Sequence, residues 1–168
     1  MNYIIRPIEM RDAAGVNALR RMPGVLENIL GLPSERLQSS EDFIAHLDGN
    51  QHQLVAAISQ EDGSDLIIGA AGLAIAPNPR LRHSASLGIM IHRDYQNAGV
   101  GTAMMSALLD LADNWLMLKR ISLTVFADND RAIHLYEKLG FEKEGLMRLA
   151  GVRNGQYVDE YMMARIHP

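Results

Sequence analysis

The 168-residue sequence contains no cysteine, which excludes disulfide bridges, thiolate metal sites and a cysteine nucleophile. It has no basic surplus either, because 16 Lys and Arg stand against 20 Asp and Glu, so broad binding to nucleic acid is not expected. No apolar run reaches the roughly 20 residues that span a bilayer, and the N-terminus lacks the pattern of a signal peptide. We therefore expect a cytoplasmic protein with neither nucleic acid nor membrane as a partner.

Two further catalytic signatures are missing. The six histidines show no spacing typical of zinc ligands, so no metal site is predicted. No Gly-x-Ser-x-Gly element that would carry a serine nucleophile is present.

The hydrophobic pattern predicts one α/β domain over residues 1–168. Its length fits a single core, and no linker or repeat divides it. Nearly continuous apolar runs predict strands buried on both faces at residues 54–58, 66–75 and 87–91, and a further apolar strand at residues 121–126. The Asn154-Gly155 pair predicts a closing hairpin. Together these elements predict a mixed sheet covered by helices.

Helix boundaries follow from capping residues and periodicity. Asp12 is expected to cap a helix that ends near Arg21, and Ser40 a helix over Glu41–Leu47. A long helix after Gly99 carries an apolar stripe that ends at Trp115 and is expected to lie in the core.

The most informative segment is the glycine-rich run Gln96–Thr102 between a strand and this long helix. Glycine allows close approach of the backbone to a ligand, and a helix start presents free N–H groups with partial positive charge. Such a junction suits a pyrophosphate. A dinucleotide fingerprint fails because the third glycine is replaced by Met104, and a phosphate-binding loop of the Walker type fails because no lysine precedes Thr102.

A second segment, Asn129–Phe141, has the pattern Asn-x-x-Ala-x-x-x-Tyr-x-x-x-Gly-Phe. With the Gln-x-x-Gly-x-Gly loop, it resembles the GNAT superfamily of N-acetyltransferases. The likeness extends over most of the chain and is weakest at residues 22–50. It is greatest to bacterial L-amino-acid N-acetyltransferases and to ribosomal-protein-type enzymes.

This resemblance implies a sheet of about seven strands with about four helices, and acetyl-coenzyme A (acetyl-CoA) as co-substrate without a metal. It implies direct attack of an amine on the thioester. The backbone near Met90 and Ile91 would hold the pantetheine arm, and Tyr136 would protonate the leaving thiolate. The remaining residues expected to bind the cofactor are Gln96, Asn97, Ala98, Gly99, Val100, Gly101, Thr102, Asn129 and Ala132, and Tyr136 counts among them too.

The sequence departs from the family pattern at Ser86, where many relatives carry a Glu that serves as a base. At pH 7, freeing an α-amine with a pKa near ~8 costs roughly 1.4 kcal/mol, against about 4.6 kcal/mol for a lysine-type amine. A site without a strong base therefore favours an α-amine. Candidate acceptor-site residues are Glu27, His83 and Ser86, and Glu27, His83 or a water chain could supply the base.

Three functions remain open at this point. The first is acetylation of a small amine, with a free amino acid favoured. The second is acetylation of protein N-termini. The third is a silent acyl-CoA-binding module, against which the presence of Tyr136 argues. A homodimer is also expected, mainly because members of the family often form dimers and because the closing hairpin could present an edge for pairing.

Overall fold

One sheet of seven strands organises the molecule. The computed structural model describes all 168 residues, and the strands lie in the order β1-β2-β3-β4-β5-β7-β6. Neighbouring strands are antiparallel except β4 and β5, which are parallel. The strands are β1 (Ile4–Pro7), β2 (Gln51–Ser59), β3 (Asp65–Ile75), β4 (Ser84–Ile91), β5 (Arg120–Phe126), β6 (Glu142–Arg153) and β7 (Gln156–Ile166).

Four α-helices cover the two faces of this sheet: α1 (Ala13–Arg20), α2 (Leu37–Ala45), α3 (Val100–Asp110) and α4 (Asp130–Lys138). Side chains of α3 and α4 pack in the larger apolar core with β3, β4 and β5. Side chains of α1 pack with β2 and β3 in a smaller core. None of the helices has the length and apolar composition needed to cross a membrane.

The two central strands, β4 and β5, separate partway along their length. β4 and β5 pair only over Ser84–Ser86 and Arg120–Ser122. Beyond this point β4 remains paired with β3, and β5 remains paired with β7. The carboxyl halves of β4 and β5 therefore leave an opening in the sheet, which we call the strand gap, with backbone groups on both of its sides.

Most elements predicted from the sequence are confirmed, including the mixed sheet of seven strands with four helices. Asn129 caps α4 by accepting a hydrogen bond from the Ala132 amide. The hairpin turns at Asn154 and Gly155, both with positive φ (50° and 75°). The expected burial of strands on both faces holds for β3, whereas β4 alternates between buried and exposed residues.

Two capping predictions were wrong. Asp12 precedes α1, but its carboxylate accepts from Arg6 and from the Glu9 amide, because the guanidinium lies in a largely buried position that needs an anion. The second helix begins at Leu37, and Ser40 is a buried residue inside it. The preceding segment is fixed by the ion pair of Arg20 with Glu35, a contact that local sequence does not reveal.

The expected burial of Trp115 was also wrong, since its side chain is 76% exposed. The α-helix changes to a π-helix at Leu111–Trp115, with the Leu116 amide bonded to the Leu111 carbonyl. The wider turn ends the 3.6-residue periodicity on which the prediction relied.

Candidate active site

A cavity of about 840 Å³ lies at the strand gap. Its lining comes from both faces of the sheet, since α3 and α4 contribute on one side and α1 and α2 on the other. Its size is typical of sites for small molecules. The cavity therefore offers access to the strand gap from two directions, as a reaction between two substrates requires.

The Gln96–Thr102 loop forms one end of this cavity. Asn97 and Gly99 adopt positive φ values of 59° and 83°, which turn the chain into α3. The amides of residues 97–102 donate to no backbone acceptor. Free amides at a helix start are suited to phosphate oxygens, so the loop fits the predicted pyrophosphate site.

Gln96 fixes the loop to the end of β4. Its Nε2 donates to the Ile91 carbonyl at 3.0 Å. That contact also shows that the Ile91 backbone points away from β3, whereas the His92 amide donates to the Ile68 carbonyl on β3. Backbone direction alternates along an antiparallel strand, so the Met90 amide points to β3 and the amides of Ile89 and Ile91 point into the strand gap.

Helix α4 brings Asn129, Ala132 and Tyr136 to the cavity wall. The Tyr136 ring lies 5.9 Å from the ring of Phe141, centroid to centroid, and the residue is 6% exposed. Burial raises the pKa of the Tyr136 hydroxyl to about 12. The hydroxyl therefore keeps its proton at neutral pH.

The opposite side of the cavity carries a different set of polar groups. Ser86 lies there at the last position where β4 and β5 pair. Arg20 of α1 forms a bidentate pair with Glu35, with Nε to Oε2 at 2.6 Å and Nη2 to Oε1 at 2.9 Å. Arg20 is the one Arg or Lys side chain that lines this side, since Arg131 and Lys138 both belong to α4.

Glu160 of β7 is the other acid of the cavity wall. The residue is 8% exposed, and its carboxylate has no hydrogen-bond partner or salt bridge in the protein. Burial raises the pKa of this carboxyl above its ordinary value. Glu160 was not among the residues expected at the site from the sequence. Its direct partner on β5 is the apolar Phe126, and this pairing cannot be read from the local sequence.

Four of the residues expected at the site do not line the cavity. Val100 is fully buried and Ala98 is exposed, so only their amides could serve a ligand. Glu27 accepts a hydrogen bond from the Gly24 amide, and His83 is exposed before β4, at the paired end of the strands. The structure therefore does not bring the two candidate bases Glu27 and His83 to the site.

The family model described as Acetyltransferase (GNAT) family matches residues 25–141. The chain belongs to this family. The match includes the glycine-rich loop and α4, which carry the resemblance seen in the sequence. Two curated relatives extend this result to nearly the full length of the chain.

An L-amino acid N-acetyltransferase (AaaT) of Escherichia coli K12 is 38% identical over 163 residues, with 97% of each chain covered. A spermidine N(1)-acetyltransferase of the same organism is 28% identical, and the alignment covers 91% of this chain and 80% of that one. The expected acetyltransferase activity is thereby confirmed at the level of reaction class, and a silent binding module is not favoured.

Among solved structures, the spermidine N-acetyltransferase of Vibrio cholerae in complex with CoA and spermine is similar, with a TM-score of 0.82 at 25% identity. The alignment covers 98% of this chain and 95% of that one. The two proteins therefore share their fold over almost their whole lengths.

Proposed function

We propose that the protein transfers the acetyl group of acetyl-CoA to the α-amine of a free amino acid. The single observation that carries this proposal is the cavity at the strand gap, with an anion-binding loop on one side and an Arg20 side chain on the other. The relative with 38% identity is an L-amino acid N-acetyltransferase, which agrees with this acceptor class.

The donor would lie on the α3 and α4 side of the cavity. The free amides of residues 97–102 would hold its pyrophosphate, and Arg131 and Lys138 of α4 would lie on the same side for a further phosphate. Bound acetyl-CoA supplies the activated thioester. The amides of Ile89 and Ile91, rather than that of Met90, would hold the pantetheine arm and polarise the carbonyl, because they point into the strand gap.

The proton donor in this proposal is Tyr136. Its hydroxyl keeps its proton at neutral pH and lies in the cavity wall on the side of the donor. Asn129 would bind the cofactor through its side-chain amide nitrogen, since its side-chain oxygen already caps α4. Tyr136 would neutralise the charge that develops on the departing sulfur. The amine attacks the thioester directly, so no acyl-enzyme forms.

An amino acid acceptor needs a cation for its carboxylate. Arg20 supplies the only one on the acceptor side, and its pairing with Glu35 fixes the guanidinium in place. We expect Arg20→Gln to raise KM for amino acids by roughly tenfold or more, because a hydrogen bond to a charged group contributes about 1.5–3 kcal/mol.

The experiment is a panel of acceptors scored by thiol release. Amino acids, the same amines without a carboxylate, polyamines and N-terminal peptides are compared on wild type and Arg20→Gln. Activity on amino acids, with a defect of Arg20→Gln that is absent for amines lacking a carboxylate, supports the proposal. Preference for polyamines or peptides, or no activity with any amine, refutes it. A melting curve of each protein controls for folding.

The same proposal includes a homodimer in the cytoplasm. Acetyl-CoA is an intracellular metabolite, which supports the location. The β6–β7 hairpin supports the assembly, since it lies at the edge of the sheet and exposes Leu146, Leu149, Val152 and Tyr157. Apolar side chains grouped on an exposed edge are typical of a surface that pairs with another chain.

A further inference from the structure

We propose that Glu160 is the general base that takes the proton from the acceptor amine. This inference rests on the proposed acetyl transfer to an amine. Glu160 lies on β7, a strand to which the family resemblance assigns no role in proton transfer. Ser86, at the position where many relatives carry a Glu, cannot serve as a base.

Sheet register places Glu160 level with the strand gap, on the strand beyond β5. Glu160 is opposite Phe126 on β5, which lies four residues beyond Ser122, and Ser122 pairs with Ser86 on β4. Met90 likewise lies four residues beyond Ser86, so Glu160 is level with the end of β4 where Ile89 and Ile91 present their free amides. The carboxylate therefore lines the cavity at the level where the thioester carbonyl would be held, one strand beyond β5.

Glu160 and Tyr136 lie on opposite faces of the sheet. Val125 belongs to the core under α3 and α4, which also contains Tyr136. Phe126, the next residue of β5, points to the other face, and Glu160 shares that face as its cross-strand partner. A base on the acceptor side and an acid on the donor side are the arrangement that amine attack on a thioester requires.

No other charged group uses this carboxylate. The neighbours of Glu160 across the sheet are Phe126 on β5 and Met147 on β6. Arg153, farther along the hairpin, is held by Asp128, and the carboxylate of Glu27 accepts from the Gly24 amide. Burial alone raises the pKa of Glu160, which makes its carboxylate a stronger base than an exposed one.

Each proton of the reaction has a defined route. The Glu160 carboxylate takes one proton from the ammonium group of the acceptor and later releases it to solvent. The neutral amine forms the C–N bond, and the C–S bond breaks as Tyr136 gives its proton to sulfur. The second amine proton leaves the nitrogen as the intermediate collapses and restores the Tyr136 hydroxyl through solvent. The products are the N-acetyl compound, the free thiol and one proton.

The test is the pH dependence of kcat and kcat/KM for Glu160→Gln. In wild type, kcat/KM is expected to be level between the raised pKa of Glu160 and the pKa of the amine. In Glu160→Gln, only free amine reacts, so for an α-amine with a pKa near ~8 kcat/KM should be lower by roughly tenfold at pH 7 and roughly 10²-fold at pH 6, and should approach the wild-type value near the pKa of the amine. Glu160→Asp should retain a level region at reduced rate.

Two controls separate the possible failures. Glu142→Gln removes an exposed acid from β6 and should keep the wild-type profile. Melting temperature is measured beside the kinetics, and Glu160→Gln should melt at or above wild type at pH 8, since it buries no charge. That difference should narrow as the pH falls, because the raised pKa of Glu160 costs folding stability only where the carboxyl is ionised.

Failure of the function and failure of the base give different results. Wild type without amine-dependent thiol release refutes the proposed function itself. Active wild type together with a folded Glu160→Gln of unchanged pH profile refutes only the role of Glu160. A loss confined to KM, with the kcat profile unchanged, also refutes it, since Glu160 would then merely bind the ammonium. If Glu160→Gln does not fold, a Glu160→Asp variant whose level region is lost refutes the role as well.

Discussion

At the scale of single residues, the proposed site depends on two buried polar groups, the Tyr136 hydroxyl and the Glu160 carboxyl, which lie on opposite faces of the sheet. Tyr136 and Glu160 are both almost fully buried, and burial raises the pKa of each. The consequences differ because the phenol stays protonated at neutral pH, whereas the carboxylate becomes a stronger base. A base at Glu160 also removes the reason to prefer weakly basic amines that Ser86 alone suggested. The preference for an amino acid then depends on Arg20.

A substitution at Tyr136 tests its role as proton donor. Tyr136→Phe keeps the ring against Phe141 and removes only the hydroxyl, so the fold should persist. We expect kcat to fall by roughly 10²-fold, the usual size of general acid catalysis, with little change in acetyl-CoA affinity. Steady-state kinetics measure the effect, and a melting curve is the control. A stable variant with wild-type kcat would assign proton donation to water.

At the scale of elements, the proposed anion site belongs to the loop and the first turn of α3. Substitution of its glycines would not probe binding cleanly. Gly99 has φ of +83°, which strains any side chain, and a Cβ at Gly101 would approach Leu135 to 3.3 Å. Thr102 is a better position, since it lines the cavity within the first turn of the helix.

Thr102→Asp is expected to separate binding from folding. A carboxylate in the first turn of α3 interacts favourably with the helix dipole, so the melting temperature should be unchanged or slightly higher. The same charge opposes a pyrophosphate, and we expect CoA affinity to fall by roughly tenfold or more. Isothermal calorimetry on Thr102→Asp, with Thr102→Asn as the uncharged control, measures this. Equal CoA affinity in both variants would place the pyrophosphate elsewhere.

At the scale of the whole molecule, the exposed face of the β6–β7 hairpin bears on assembly. Val152 and Tyr157 are cross-strand partners and are 68% and 70% exposed. Two large apolar side chains so exposed at a sheet edge favour burial against a second copy of the chain.

Val152→Lys should therefore convert a dimer to a monomer. A lysine at this position would place a charge in the proposed interface, and burying an unpaired charge is costly. Sedimentation at micromolar concentration should show a species twice the 18.6 kDa chain mass for wild type and the single chain for Val152→Lys. Lys143→Gln, at the other end of β6, serves as a control that should remain dimeric. A monomeric wild type would remove the assembly from the proposal.

The class of fold and the glycine-rich loop could be predicted from the sequence, because both depend on local features. The glycine-rich run before α3 and the Asn129 cap of α4 are encoded within a few residues each, and hydrophobic periodicity marks the strands around them. The Asn154-Gly155 turn is equally local, since its positive φ values suit few residue types.

Features that join distant segments could not be predicted from the sequence, because they depend on strand pairing and packing. The strand gap exists because β4 and β5 pair over three residues only, and no local pattern encodes where two strands separate. Arg20 meets Glu35, and Glu160 reaches the level of Met90, through packing of elements far apart in sequence. The start of α2 also depends on a contact between distant segments. The Arg20–Glu35 ion pair, not a cap at Ser40, lies just before it. Residues that act together across a sheet can be recognised only when strand order and register are known.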